Sequence, residues 1–177
     1  MRILTIVTVL VAPLVAIAQP KPPQMDPANP ISSSLKGNYE RVKKFITGAA
    51  DLVAPADYAF KPTPDVRSFG QLIGHVADAS YMFCGAAKKE PKSNRASAEK
   101  TATTKDALKK ALAEAFAYCD AVYGSTTDAT LSTPIELFGN KMIKFQALDI
   151  NVAHDNEHYG NIVTYLRLKK LVPPSSM

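Results

Sequence analysis

Residues 142–170 read MIKFQALDINVAHDNEHYGNIVTYLRLKK, and apolar side chains return there every three or four positions. That period predicts a helix from near Met142 to near Lys170. Arg167, Lys169 and Lys170 suit the negative C-terminal end of its dipole, and Pro173-Pro174 prevents continuation. With His154 as reference and 100° per residue, Ile143, Ala147, Ile150, His158, Asn161, Tyr165 and Leu168 fall within about 40° of it. Two histidines therefore interrupt a mostly apolar stripe that is expected to face inward.

Working outward from this helix, three more are predicted. Ile31, Leu35, Tyr39, Val42, Ile46, Ala49 and Val53 recur at helical steps, and Pro55 ends the run. Ser68 with Gln71 three residues later is a capping-box signature. It opens a second helix to about Ala87 that carries Leu72, His75, Ala79 and Met82 on one stripe. Thr104 caps a third helix, with Asp106 in the first turn where the dipole favours an anion. Its stripe is Leu108, Ala111, Leu112, Ala115, Cys119 and Val122, and Gly124 ends it. Residues 88–103 and 125–141 read as long solvated connections, with no strand-period segment longer than a few residues. The expected fold is all-α, a four-helix bundle. The long connection after the second helix is long enough for helices two and three to run parallel.

Composition narrows the function. At 177 residues with 46% hydrophobic and 21% charged, the chain is one domain with a real core. The formal net charge of +5 is mild, and the absence of tryptophan weakens an aromatic-rich binding surface. Two cysteines cannot build a Cys₄ zinc site. Residues 1–18 read as an export signal: a basic start at Arg2, an apolar run from Ile3 to Val15, and the small-x-small end Ala16-Ile17-Ala18. A buried N-terminal helix is the alternative. With no cysteine before Cys84, a lipid-modified cleavage site is excluded. The mature chain then begins at Gln19, carries a proline-rich linker over 19–30, and keeps no membrane anchor. A periplasmic or secreted destination follows, which removes nucleic acid as a partner and permits a disulfide.

The chain has three histidines. His154 and His158, at i and i+4, leave one helix face a turn apart and can bind one ion without backbone strain. Three histidines placed at random give that spacing with a probability of about 3%. His75 interrupts the second helix's stripe in the same way. Core histidines satisfied by hydrogen bonds are the competing explanation. His154-Asp155-Asn156-Glu157-His158 also fits the H-x-x-E-H pattern of one zinc-peptidase class, which takes a carboxylate ligand from downstream. No Asp, Glu or His follows His158, so the third ligand must come from upstream, and His75 is the candidate. Glu157, at the border of the inward stripe, reads as a surface residue rather than a general base.

Three segments resemble the DinB/YfiT-like superfamily of small four-helix metalloproteins. They are Phe60-Lys61-Pro62 through Arg67-Ser68-Phe69-Gly70-Gln71-Leu72-Ile73-Gly74-His75, then His154-x-x-x-His158-Tyr159-Gly160-Asn161-Ile162, then Tyr165-Leu166-Arg167 with Pro173-Pro174. The resemblance spans about residues 31–175. It implies an up-down-down-up bundle and a divalent metal, such as zinc or nickel, on His75, His154 and His158. Characterised members include thiol-dependent transferases and isomerases that work in the cytosol, and many members have no established activity.

Three neutral imidazoles leave an ion with open positions, the pattern of a catalytic site. The expected function is a metal-dependent hydrolase or thiol transferase acting on a small-molecule substrate or thiol. A non-enzymatic exported metal- or ligand-binding bundle is the alternative. Gln71, Asp78, Asn151, Asn161 and Tyr165 are candidates to line the open positions, and a homodimer is the candidate assembly. Cys84 and Cys119 lie 16 and 15 residues into helices two and three, so a parallel pair sets them at one height and a disulfide is expected. Antiparallel, they would stand roughly 18 Å apart along the axis. Two buried thiols are the alternative. Cys84 is about 13 Å along the helix from His75 and on its opposite face, so neither sulfur is expected to reach the metal.

Overall fold

The computed structural model describes residues 25–90 and 97–177, so the leader 1–18 and the first part of the linker lie outside the described residues. Four long helices form the body: α1 (Pro30–Leu52), α2 (Phe69–Lys88), α4 (Lys105–Ser125) and α5 (Lys144–Leu168). A one-turn helix, α3 (Ala98–Thr101), lies between α2 and α4. Strands β1 (Pro134–Leu137) and β2 (Asn140–Ile143) form an antiparallel hairpin ahead of α5.

Helix α2 packs on α4 and α5, and α1 packs on the same two. Directions follow from the contacts. Ser32, at the start of α1, bonds Asp128 beyond the end of α4, while Lys109, early in α4, pairs with Asp51 late in α1. Those helices are antiparallel. Cys84 and Cys119 are joined, with Cα atoms 5.5 Å apart, so α2 and α4 run parallel. Tyr165, late in α5, donates to the carbonyl of Arg67 just ahead of α2, which makes α5 antiparallel to α2. The bundle is up-down-down-up.

The local reasons are legible. Ser68 Oγ accepts from the Gln71 amide at 3.1 Å and Gln71 Oε1 from the Ser68 amide at 2.9 Å, closing the capping box. Thr104 Oγ1 caps α4 at the Ala107 amide. Between α1 and α4, Tyr39 stacks on Tyr123 at 4.1 Å, and its hydroxyl donates to the Phe116 carbonyl at 2.9 Å. A buried hydroxyl therefore keeps a partner inside an otherwise apolar core.

Four sequence expectations need correction. The segment 125–141 contains strand β1 and most of the hairpin, turned at Phe138 (φ 54°) and Gly139 (φ 76°). Two consecutive positive φ angles give a tight two-residue turn, and α5 starts at Lys144 rather than Met142. Strands of four residues are too short for alternation to stand out. Met82 is 42% exposed and Ile31 55% exposed, so the stripes on α2 and α1 are narrower than predicted. The end of the linker is tied down: Asp26 Oδ1 accepts from the Ala28 amide in an Asx turn, Asp26 Oδ2 accepts from Asn29 Nδ2, and Asn29 Oδ1 accepts from the Asp128 amide. Finally, the segment 97–102 is not wholly solvated: α3 docks on α2 with Ser97, Ala98 and Glu99 half-buried, while Lys100 and Thr101 stay exposed.

Candidate metal centre

Helix α5 sets His154 and His158 one turn apart, and α2 brings His75 to them across the seam. His75 Nε2 stands 3.2 Å from His154 Nε2, and His158 Nε2 stands 3.1 Å from the same atom. One ring nitrogen from each residue lies within 4.8 Å of the others. At metal–nitrogen bonds of about 2.0–2.1 Å, tetrahedral and octahedral ligand pairs are roughly 3.3 and 2.9 Å apart. The two spacings to His154 fall between these, and with the third nitrogen pair also within 4.8 Å the three side chains could hold one ion. His75 and His154 side chains are 24% and 19% exposed, so the nitrogens meet at the edge of the core and not at its centre.

That position corrects the helical-wheel reading. The inward face of α5 centres on Leu148, Asn151, Asp155, Ile162 and Leu166, all at 0% exposure, with His154 on its flank. The stripe referenced to His154 instead ends in exposed Ile143 and Leu168. A site on the flank keeps the imidazoles close to solvent while the core stays closed.

Each ring has its own electrostatic setting. Burial, followed by the neighbouring His154 and His75 rings, lowers His158 to about 4, which leaves it neutral at ordinary pH. Burial also lowers His75, against the opposing effect of its hydrogen bond to Glu99. Glu99 Oε2 lies 3.0 Å from His75 Nδ1, and its other oxygen accepts from Arg67 Nε at 2.8 Å. Burial opposes ionisation of Glu99, yet the bonds from Arg67 and His75 outweigh it and hold the carboxyl below its ordinary value. His154 Nδ1 and Asp155 Oδ1, 3.9 Å apart, are both buried without a hydrogen-bond partner among the described residues. Burial raises Asp155 to about 6. Asn161 Nδ2 is 3.5 Å from His158 Nδ1.

Most of the predicted lining residues do other work. Gln71 is committed to the capping box. Asp78 turns towards α3 and accepts from Ser97 Oγ, the Ala98 amide and the Glu99 amide. Asn151 is buried and donates towards Tyr123 Oη and Asp155. Tyr165 holds the Arg67 carbonyl at 2.6 Å. Asn161 alone reaches a ligand ring, on the side away from the cluster. Glu157 is exposed, as expected of a surface residue. Cys84 and Cys119 are both fully buried in the disulfide.

Sequence reasoning missed Glu99, Arg67 and Asp155. Glu99 sits in a polar segment with no periodicity, and no local signal ties it to His75 twenty-four residues earlier. Arg67 lay within a quoted motif without a role. Asp155 was legible in principle, since it lies one position from His154 on a helix whose core face it shares.

Comparison with known proteins agrees with the fold. The B. subtilis (strain 168) protein YjoA is 26% identical over 124 residues, covering 67% of this chain and 77% of that protein. The crystal structure of a DinB-like protein from Bacillus cereus ATCC 10987 superposes with a TM-score of 0.66 at 17% identity, covering 78% of this chain and 95% of that one. The crystal structure of B. subtilis YjoA, also titled DinB-like, gives 0.64 at 19% identity over 78% and 93%. The sequence profile of the DinB superfamily matches residues 38–162, and the chain belongs to that superfamily.

Proposed function

We propose that this is an exported metalloprotein that holds one divalent ion, zinc or nickel, on His75, His154 and His158. We further propose that it acts on a small molecule as a metal-dependent hydrolase or thiol transferase. The observation that carries the reading is the convergence of three ring nitrogens on a partly exposed seam, with those of His75 and His158 3.2 and 3.1 Å from that of His154. Imidazole suits both ions, and the two sulfurs are committed to each other. When bound, the ion supplies a Lewis acid that lowers the pKa of a water towards about 7 or holds a thiol as thiolate. The chain's own part is to keep His158 and His75 neutral by burial and to hold His75 through Glu99. Export is supported by the leader at 1–18 and by a disulfide, a bond that persists in oxidising compartments.

A second reading is favoured by a specific observation. Gln71, Asp78, Asn151 and Tyr165 each bond to other groups of the fold, and no free base among the described residues is bonded to the cluster's Nε2 face. The absence of such a base among the described residues suits a metal- or ligand-binding bundle without catalysis, or a reaction whose acid–base groups arrive with the substrate.

Elemental analysis of the purified full chain tests the site, with about one zinc or nickel per chain expected. Absence of either metal after growth in supplemented medium would sink the reading. Ester hydrolysis and thiol-conjugation assays on the loaded protein, with His158→Ala as control, separate enzyme from binder. N-terminal sequencing of exported protein should read from Gln19.

A further inference from the structure

We propose that Glu99, docked against α2 by the one-turn helix α3, is a positioning residue that takes the Nδ1–H of His75 and fixes that ring as an Nε2 donor. The inference rests on the metal-centre reading, and it makes metal affinity depend on how residues 97–102 sit.

The geometry supplies the steps. A carboxylate only accepts, so the 3.0 Å contact between Glu99 Oε2 and His75 Nδ1 places the ring proton on Nδ1. The lone pair is then on Nε2, the nitrogen that faces His154 at 3.2 Å. Outer partners of this type orient a ligating imidazole and raise its basicity. Arg67 Nε donates to the other Glu99 oxygen at 2.8 Å, which neutralises the carboxylate and sets its plane.

Delivery of Glu99 is built into α2. Asp78, one turn after His75, accepts from Ser97 Oγ at 2.6 Å, from the Ala98 amide at 2.7 Å and from the Glu99 amide at 3.1 Å. These bonds seat the start of α3 on α2. Gly74 makes the seat close enough, because a Cβ there would lie 2.6 Å from Glu99 Cα and 2.7 Å from Glu99 N. Gly74, His75 and Asp78 thus act together: a gap, a ligand ring and a clamp. The partly exposed Arg67–Glu99 pair is of a kind that contributes little to stability. A purely structural role therefore accounts poorly for that pair.

The experiment uses the full chain with zinc, competing against a chromophoric chelator. Glu99→Ala should weaken zinc binding by roughly 10–100-fold, and Glu99→Gln, which keeps an acceptor oxygen, by less. Asp78→Ala should weaken it comparably, and the double variant should be no worse than Glu99→Ala alone. Long-range ¹H–¹⁵N spectra of the zinc-loaded wild type should show His75 protonated at Nδ1, with a downfield resonance that Glu99→Ala removes. A merely structural role would not move that signal. Thermal melts in chelator report whether each variant folds, and Gly74→Ala replaces Asp78→Ala if the latter does not. Zinc affinity within twofold of wild type in Glu99→Ala, or an unchanged His75 resonance, overturns the inference and leaves the three-histidine site standing. A wild-type chain that takes up neither zinc nor nickel overturns both.

Discussion

The Nε2 atoms of His154 and His158 stand 3.1 Å apart on one face of α5. Without an ion the two neutral rings can share at most one proton between these atoms, whereas a cation takes a lone pair from each. Replacing any one of His75, His154 or His158 by Ala should cost more than the roughly 10–100-fold in metal affinity typical of losing an outer partner. Isothermal titration with zinc checks it, and wild-type affinity in His158→Ala would refute the assignment.

The pH dependence of the metal-free protein carries a sign that can be worked out. His158 falls from 6.5 to about 4, so the unfolded chain binds the extra proton between those values. Its stabilising contribution is complete above pH 6.5 and is lost as pH falls towards 4. His75, also lowered, acts in the same direction. Asp155 rises from 3.8 to about 6, so the folded chain binds the extra proton there, and its contribution is lost as pH rises through 6. His158 and Asp155 oppose each other across about pH 4–6, leaving a shallow net loss on acidification. Asp155→Asn removes the opposing group. Its urea midpoint should then fall more steeply than the wild type's between pH 6 and 4, and parallel curves would show that Asp155 is ionised in the fold.

The disulfide joins α2 and α4 over a sequence separation of 35 residues. In the chain-entropy model, closing a loop of that length contributes about 3–4 kcal/mol. Urea denaturation of the Cys84→Ala/Cys119→Ala double variant should show a loss of that order. Zinc affinity should stay near wild type, because the sulfurs do not contact the histidine cluster. A large loss of affinity would mean that the bridge sets the helix register that the site needs.

Gly74→Ala should separate fold from site. The added methyl meets the backbone of Glu99, which must shift outward. Overpacking of this kind costs about 1–3 kcal/mol, and the displaced Glu99 should lower zinc affinity by less than a ligand deletion does. A crystal structure of the variant with α3 unmoved would contradict the close-packing account.

Periodicity along α1, α2, α4 and α5 decided the helices, because an amphipathic face must repeat every three to four residues to be buried. The caps at Ser68 and Thr104 were equally legible, since their bonds close within three residues. The i, i+4 spacing of His154 and His158 also belongs to the sequence, as one helix carries both. His75 joined them in expectation through the rarity of histidine and the likeness to a family, whereas the 3.2 Å approach to His154 is a product of α2 packing antiparallel on α5. Which face of α5 is the core was decided only in three dimensions. The wheel registers apolar periodicity and not which neighbours arrive, and so it centred on His154 in place of Asp155. Glu99 lay beyond any local reading, because its role depends on a glycine gap, an aspartate clamp and a chain reversal that bring together residues 24 positions apart. The short strands of the hairpin were hidden for a related reason: pairing between strands is a non-local bond, and four residues leave too little alternation to register it.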